Sequence, residues 1–424
     1  MRVRLAVASL TLLAGAAASQ SQAAPFSFAV YGDSRSMMYL PPGADQQAAA
    51  AGLLTDMISL LMPEKVAVEV IQKETKFTYD PVTHELVQIT MPFQSANQVM
   101  TLRVDQGWVT QASVEMTTTM PGVQNSMFHL EGGDWVAREV ALTVKTGRAK
   151  FILNTGDMVW WGKQGTTPSA NPYWSLVNEN VMKGLPPADA EMIKAGVPGR
   201  VFPAVGNHDV WNDSDVQGLL TAFPYLKKLG VTDDRLIYMF DYHGARFIFL
   251  WTGYYDYRSP SGWEGTKPGY DAQMKQLTTW LDEAKAKGEK KVFISFHAPV
   301  FSGWGGDLPE QQSPRKLLAS YAKALDITVL TGHVHTTELY EVDGVKYLML
   351  GGGGGEQDPS LPGRVRKPPP AGYPKELYWQ GALPKEEYNY LLVDVRPDKP
   401  TKFTIVRFRP GRAEPFSSTE IYAP

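Results

Sequence analysis

Short apolar runs recur along this chain, and each is closed by a polar turn rich in glycine. Phe26–Tyr31, Lys150–Asn154, Arg200–Val205, Lys291–Ser295 and Ile327–Leu330 have the length and β-branched or aromatic content of buried strands. Between them lie helical patterns. Ala272–Lys287 places Met274, Leu277, Trp280, Leu281 and Ala284 at helical spacing, and Ser313–Leu325 is similar, with Pro314 suited to a first helical position. Leu236–Phe240 and Arg246–Trp251, joined through His243 and Gly244, predict a β-hairpin with His243 as a turn residue. Lys346–Leu350, Asn389–Val395 and Thr401–Phe408 predict strands that complete a second sheet. The pattern is that of an α/β protein.

One interval breaks the rhythm. The stretch from Asp33 to Asp157 is far longer than a βα unit needs, so something is inserted there. From about Lys65 to Phe128 the chain alternates Val, Thr, Gln and Tyr, with turn signals at Asp80-Pro81 and Asp105-Gln106-Gly107. This predicts a small β-rich subdomain at 64–129, set into a main domain of 25–63 and 130–424. Ala44–Leu61 before it and Asp134–Gly147 after it read as helices returning the chain to the core. The subdomain is either a cap that limits substrate access or a module with no part in the chemistry.

Composition narrows the setting. Arg2 and Arg4, an apolar stretch from Leu5 to Ala18 and small residues around Ala23 form the pattern of a secretory signal peptide over 1–23. Export to a periplasm or beyond is the expected localisation. The chain has no cysteine, so neither disulfides nor a lipid-bearing cysteine are available. No other run has the length of a membrane span. A net charge of −3 argues against a protein that coats nucleic acid, which would carry a basic stripe.

The chemistry sits where the strands end. Gly32-Asp33-Ser34-Arg35, Gly156-Asp157, Gly206-Asn207-His208-Asp209, Phe296-His297 and Gly332-His333-Val334-His335 follow the five apolar runs in order. In open α/β sheets, ligands belong in the crevice beyond the strand ends. Carboxylate, amide and imidazole donors in this mixture suit a pair of divalent metals, with Asp157 able to bridge them. There is no GxSxG and no cysteine nucleophile, and metals that activate water need neither. His208, directly after one candidate ligand, can protonate a departing alkoxide or stabilise phosphoryl charge, and Asp209 beside it can orient that imidazole. Arg35 offers only donors, so it cannot ligate a metal; it either grips a phosphate oxygen or makes an ordinary ion pair. His84, His129 and His243 have no ligand partner at useful spacing and read as structural. The aromatics Trp160, Trp161, Trp251–Tyr257, Trp263 and Trp304 either line a pocket or pack loops. The glycine run Gly351–Gly355 lacks the lysine of a P-loop and reads as backbone passing close to the crevice. Asp358–Pro374 reads as a long loop shielding it.

These motifs resemble those of the calcineurin-like metallophosphoesterases, whose pattern runs D-x-H, GD, GNH[DE], H and GHxH. Four elements match in full, and the first departs, with Arg35 where the family has a histidine. In purple acid phosphatases, which share the framework, the metal-binding tyrosine would fall at Trp160, so the likeness is to the wider group. The resemblance implies a two-sheet α/β sandwich holding two divalent ions (Mn, Fe or Zn). One ion would take Asp33, Asp157 and His335, and the other Asp157, Asn207, His297 and His333. It further implies hydrolysis of a small phosphorylated substrate, whether phosphomonoester, nucleotide or phosphodiester, with His208 as general acid. The alternative is a non-catalytic phospho-ligand-binding protein whose first metal site is degraded at Arg35. A peptidase would need an HExxH, which is absent.

Overall fold

In the computed structural model, residues 24–35, 38–40, 74–93, 95–116, 126–129, 131–163, 171–211, 213, 216–253, 266–355, 374–379, 387–409, 415 and 417–422 are described. The signal-peptide pattern, the Ala44–Leu61 helix, most of Trp251–Tyr257, Trp263 and the Asp358–Pro374 loop lie outside them.

Two mixed sheets form the body. In the first, the strands run in the order Ser417–Tyr422, Lys402–Phe408, Tyr388–Val395, Phe26–Tyr31, Ile152–Asn154 and Val201–Pro203. The last three are mutually parallel, while Tyr388–Val395 joins Phe26–Tyr31 antiparallel. In the second sheet the order is Tyr238–Tyr242, Ala245–Phe249, Lys291–Ser295, Asp326–Thr331, Val345–Leu350, Thr337–Val342 and Tyr378–Trp379. Its centre, from Ala245–Phe249 to Val345–Leu350, is parallel. The sheets face each other across interlocked aromatic rings. Phe28 of the first meets Phe247 and Phe293 of the second edge-on at 5.2 and 5.0 Å, and Phe151 meets Phe247 at 5.2 Å. Such edge-to-face pairs add to the burial of large apolar area that drives the layers together.

The expected strands are present, but they are dealt out differently between the sheets. Tyr388–Val395 and Lys402–Phe408 extend the sheet of Phe26–Tyr31, whereas Val345–Leu350 lies with Lys291–Ser295 in the other. An apolar run reports that a strand is buried, not which neighbour it pairs with. The hairpin forms as Tyr238–Tyr242 and Ala245–Phe249, with His243 at its turn in the left-handed region (φ 48°) and its ring against Glu191 at 2.9 Å. Helices occur at Gly132–Lys145, Tyr270–Lys287 and Arg315–Tyr321. Tyr270–Lys287 buries Leu277, Trp280, Leu281 and Ala284 and stops at Gly288, which adopts φ 74° as a left-handed cap. Pro314 caps the Arg315–Tyr321 helix, one place before the expected first turn.

The region between Phe26–Tyr31 and Gly132–Lys145 forms a third, antiparallel sheet from Lys76–Tyr79, Leu86–Phe93, Ser95–Asp105, Trp108–Met116 and Ser126–His129, joined by Met38–Tyr39. Among the described residues, Tyr39 and Trp108 tie it to the body. The Tyr39 N–H donates to the Tyr173 hydroxyl at 2.9 Å, and Trp108 packs edge-on against Tyr173 at 5.7 Å. His84 lies exposed near a turn (φ 59°). Among the described residues no helix is long and apolar enough to cross a membrane.

Candidate metal centre

Asp33, Asp157, Asn207, His297 and His333 each follow the C-terminal end of a parallel strand, so the two sheets deliver them to one seam. All are buried, as are Arg35, His208, Asp209 and His335. The loops are knitted together before any side chain acts. Asp33 N–H donates to the Gly156 carbonyl, Arg35 N–H to that of Asp157, and Gly332 N–H to that of His297, at 3.0, 3.0 and 2.8 Å. Three site residues hold left-handed backbone, with φ of 54° at Asp33, 55° at Asp157 and 72° at His333. Side chains adopt this region at a cost, and it persists where surrounding contacts over-determine it.

The glycines that precede Asp157, Asn207 and His333 have a steric reason. A Cβ at Gly206 would stand 2.2 Å from Asp157 Oδ1, and one at Gly332 would stand 2.3 Å from Asp33 Oδ2. Gly156 has φ 103° and abuts the His297 ring. The five-glycine run behaves likewise: a Cβ on Gly351 would strike the Val334 carbonyl oxygen at 1.9 Å, and one on Gly353 that of Gly32 at 2.0 Å. Backbone does pass close to the crevice there.

Asp157, His297 and His333 converge, each offering a donor atom within 4.8 Å of the others. His297 Nδ1 lies 2.9 Å from the Thr155 carbonyl, which only accepts, so Nδ1 carries the proton and Nε2 is left facing Asp157 Oδ2 at 3.3 Å. A backbone carbonyl fixing the far ring nitrogen is the usual support of a ligating histidine. His333 Nδ1 lies 3.3 Å from the same His297 Nε2. Asn207 adds a buried Oδ1 with no hydrogen-bond partner. An orphaned carbonyl oxygen beside this cluster is costly unless a cation takes it. The four donors fit one divalent ion. Burial alone would raise the Asp157 carboxyl, but His297, His208 and Arg35 hold it well below the usual range. Burial opposes charge on His297, yet Asp157 outweighs it and raises the ring to about 9. Proton and cation thus compete for one nitrogen. Burial and the neighbouring His297 keep His333 neutral.

The other expected donor set is arranged differently. Asp33 takes the His333 N–H on both carboxylate oxygens, at 3.0 and 2.9 Å, and faces His335 Nε2 at 3.5 Å. The Arg35 guanidinium lies among these groups. One of its terminal nitrogens reaches His335 Nε2 at 2.9 Å, its Nε stands 3.9 Å from Asp157 Oδ2, and its other terminal nitrogen donates to His208 Nε2. It also stacks over Trp160, 4.6 Å from the ring centre. As they stand, Asp33, Asp157 and His335 do not fit a second metal, because the Arg35 guanidinium stands beside His335 and Asp157.

His208 is held on every side. Its N–H donates to Asp157 Oδ1 at 3.0 Å, Nδ1 donates to the Trp160 carbonyl at 3.0 Å, and Trp211 and Trp160 pack against the ring at 3.7 and 5.2 Å. Its Nε2 accepts from Arg35, a group that can only donate, so the ring is the neutral Nδ1–H tautomer. Burial and Arg35 drive its pKa well below the usual value. Two residues make contacts other than those expected of them. With Nε2 accepting from Arg35, His208 holds no proton on that nitrogen in this arrangement. Asp209 does not orient the ring; instead, Asp209 accepts the N–H groups of Met158 and Val159 on Oδ1 (2.8 and 3.3 Å) and of Asp157 and Gly206 on Oδ2 (both 2.9 Å). Burial and nearby Asp157 raise Asp209 to about 7 against the pull of those donors.

Sequence reasoning missed the Thr155 and Trp160 carbonyls, since backbone acceptors carry no residue signature; only their places beside Gly156-Asp157 could have suggested them. Trp160, Trp161, Trp251 and Trp304 are all buried, and Trp160 lies beneath Arg35 and against the His208 ring.

Residues 132–337 match the model of the calcineurin-like phosphoesterase family. The match begins beyond the inserted sheet, so Asp33 and Arg35 fall outside it. No curated protein matches the sequence. Among solved structures, the chain is similar to GAP50, the anchor in the inner membrane complex of Plasmodium (17% identity, covering 68% of this chain and 84% of that one, TM-score 0.44). It is also similar to a purple acid phosphatase from yellow lupin seeds (13%, 76% and 59%, 0.44) and a dimetal phosphatase from Danio rerio (16%, 70% and 91%, 0.40).

Proposed function

We propose that this chain, which carries a calcineurin-like phosphoesterase domain, hydrolyses small phosphate esters in a metal-dependent reaction. The observation that carries the reading is the convergence of Asp157, His297 and His333, with the orphaned Asn207 oxygen, at the ends of strands from both sheets. Asp157, Asn207, His297 and His333 would hold a divalent ion. When bound, that ion supplies Lewis acidity to a phosphoryl group and to attacking water.

The remaining residues position and neutralise. Arg35 presents a fixed positive charge whose planar fork suits two oxygens of a phosphoryl group. His208, pinned by the Trp160 carbonyl and flanked by Trp211, steadies Arg35 through Nε2. Trp160 supports the guanidinium from beneath, and Trp211 packs against the His208 ring. Charge developing on the phosphoryl oxygens then meets preorganised donors, which is where such sites gain most of their rate. Export on the 1–23 leader belongs to the same proposal, and N-terminal sequencing of the mature protein tests it.

The test is turnover of 4-nitrophenyl phosphate and bis(4-nitrophenyl) phosphate by the leaderless protein, after chelation and re-addition of Mn, Fe or Zn. Metal-restored hydrolysis is expected, and the preferred ester defines the substrate class. Tight phosphate binding without turnover under every metal would establish the non-catalytic reading that Arg35 also permits.

A further inference from the structure

We propose that the Arg35 guanidinium takes the place of one of the two metal ions, so that the protein works with a single divalent ion and a built-in organic cation. The inference rests on the phosphoesterase reading of the same site and specifies its metal content.

Three observations carry it. The guanidinium stands against two of the residues that a second ion would need, with a terminal nitrogen 2.9 Å from His335 Nε2 and Nε 3.9 Å from Asp157 Oδ2, while its other terminal nitrogen donates to His208. Next, Asp33 accepts the single His333 N–H on both carboxylate oxygens, at 3.0 and 2.9 Å, so this carboxylate has a structural task in holding the His333 loop. Finally, Arg35 is only 7% exposed and lies 4.6 Å over Trp160. It has no open solvent to swing into without baring His208 and His335.

Charge leads to the same count. Asp33 and Asp157 are the carboxylates that face this space, and they balance a guanidinium and one divalent ion far better than a guanidinium and two. A second ion between His335 and Asp157 would be in contact with a permanently protonated group, in a buried setting where like charges repel strongly. The surviving ion site, Asp157 with Asn207, His297 and His333, keeps its donors: His297 Nε2 stands 3.3 Å from Asp157 Oδ2, the oxygen that Arg35 Nε faces at 3.9 Å. One divalent ion held there and Arg35 would share the charge of that carboxylate.

The experiment counts metals. The full chain is stripped, incubated with excess Mn²⁺, desalted and examined by native mass spectrometry and elemental analysis, with electron paramagnetic resonance on the same samples. One Mn²⁺ per wild-type chain with an uncoupled six-line spectrum is expected. Arg35→His should take two and show exchange coupling. Two ions in the wild-type chain would overturn the inference while leaving the phosphoesterase reading intact. None in the wild-type chain, together with no turnover, would overturn both. A single ion in both proteins would also overturn it, since Arg35 would not be what excludes the second. If Arg35→His does not fold, the wild-type count and spectrum decide alone.

Discussion

Replacing Asp209 by Asn should loosen the metal loop although Asp209 touches no proposed ligand side chain. The carboxylate is fully buried and accepts four backbone N–H groups, two on each oxygen. An Asn side chain has one oxygen and one NH₂, so whichever way it turns, two of those donors face another donor. The cheaper orientation sacrifices Met158 and the longer 3.3 Å bond from Val159, and keeps Asp157 and Gly206. A buried donor left unsatisfied costs about 1–3 kcal/mol, so the loss should be about 3 kcal/mol in all once the weak Val159 bond is discounted. Asp209→Ala, which abandons all four, should lose about 4 kcal/mol or more, in the range reserved for broken buried networks. Asp157 sits at φ 55° directly behind Gly156 at φ 103°, and this loop relies on Asp209 to stay there. Affinity for Mn²⁺ should therefore also fall about tenfold, equivalent to about 1.4 kcal/mol. Urea unfolding of the metal-free protein gives the first number and isothermal titration with Mn²⁺ the second. If Asp209→Asn unfolds within about 0.5 kcal/mol of the wild type, the four-donor argument is wrong.

Other outcomes follow from other parts of the molecule. Mn²⁺ at about a hundred times its dissociation constant should stabilise the wild-type chain by about 2.7 kcal/mol, and His297→Ala should abolish the gain; a melting temperature that still rises with Mn²⁺ would place the ion elsewhere. Burial and Asp241 push the Glu289 carboxyl up to about 7, even with Arg246 at 3.1 Å. Because its folded value lies above the unfolded one, ionising it costs stability as pH rises from about 4.5 to about 7. Glu289→Gln should therefore raise the melting temperature at pH 8 relative to wild type by more than at pH 5, and an equal difference at both would contradict this. Gly353→Ala would drive a Cβ to 2.0 Å from the Gly32 carbonyl oxygen, so a loss of about 2–3 kcal/mol is expected in thermal unfolding, the scale of strain in overpacked sites.

Much of the site was legible because its chemistry is written in residue types. Asp157, Asn207, His297 and His333 were readable as candidate ligands from their motifs, and the apolar runs before them as strands whose ends would carry them. The strands in turn were readable because short β-branched and aromatic runs have few other uses. What the runs did not disclose was partnership. Tyr388–Val395 looked like a neighbour of Val345–Leu350, yet it pairs with Phe26–Tyr31 on the other sheet. Pairing is decided by which faces bury one another, and Phe28, Phe151, Phe247 and Phe293 make that choice only once the layers are stacked.

The sequence alone determined which donors exist, their order and the Arg35 departure. Only the tertiary structure decided what each side chain touches. His208 and Asp209 are adjacent in the chain, and adjacency suggested cooperation between them. They lie in a 3₁₀ turn, His208–Val210, where successive side chains diverge by about 120°. One therefore turns to Arg35 and the Trp160 carbonyl, and the other to the N–H groups behind Asp157. For the same reason Arg35 could be judged unable to ligate from its chemistry, but its place beside Asp157 and His335 depends on loops separated by hundreds of residues closing at one seam. A long side chain fixes its donors by type, while its surroundings fix where they are spent.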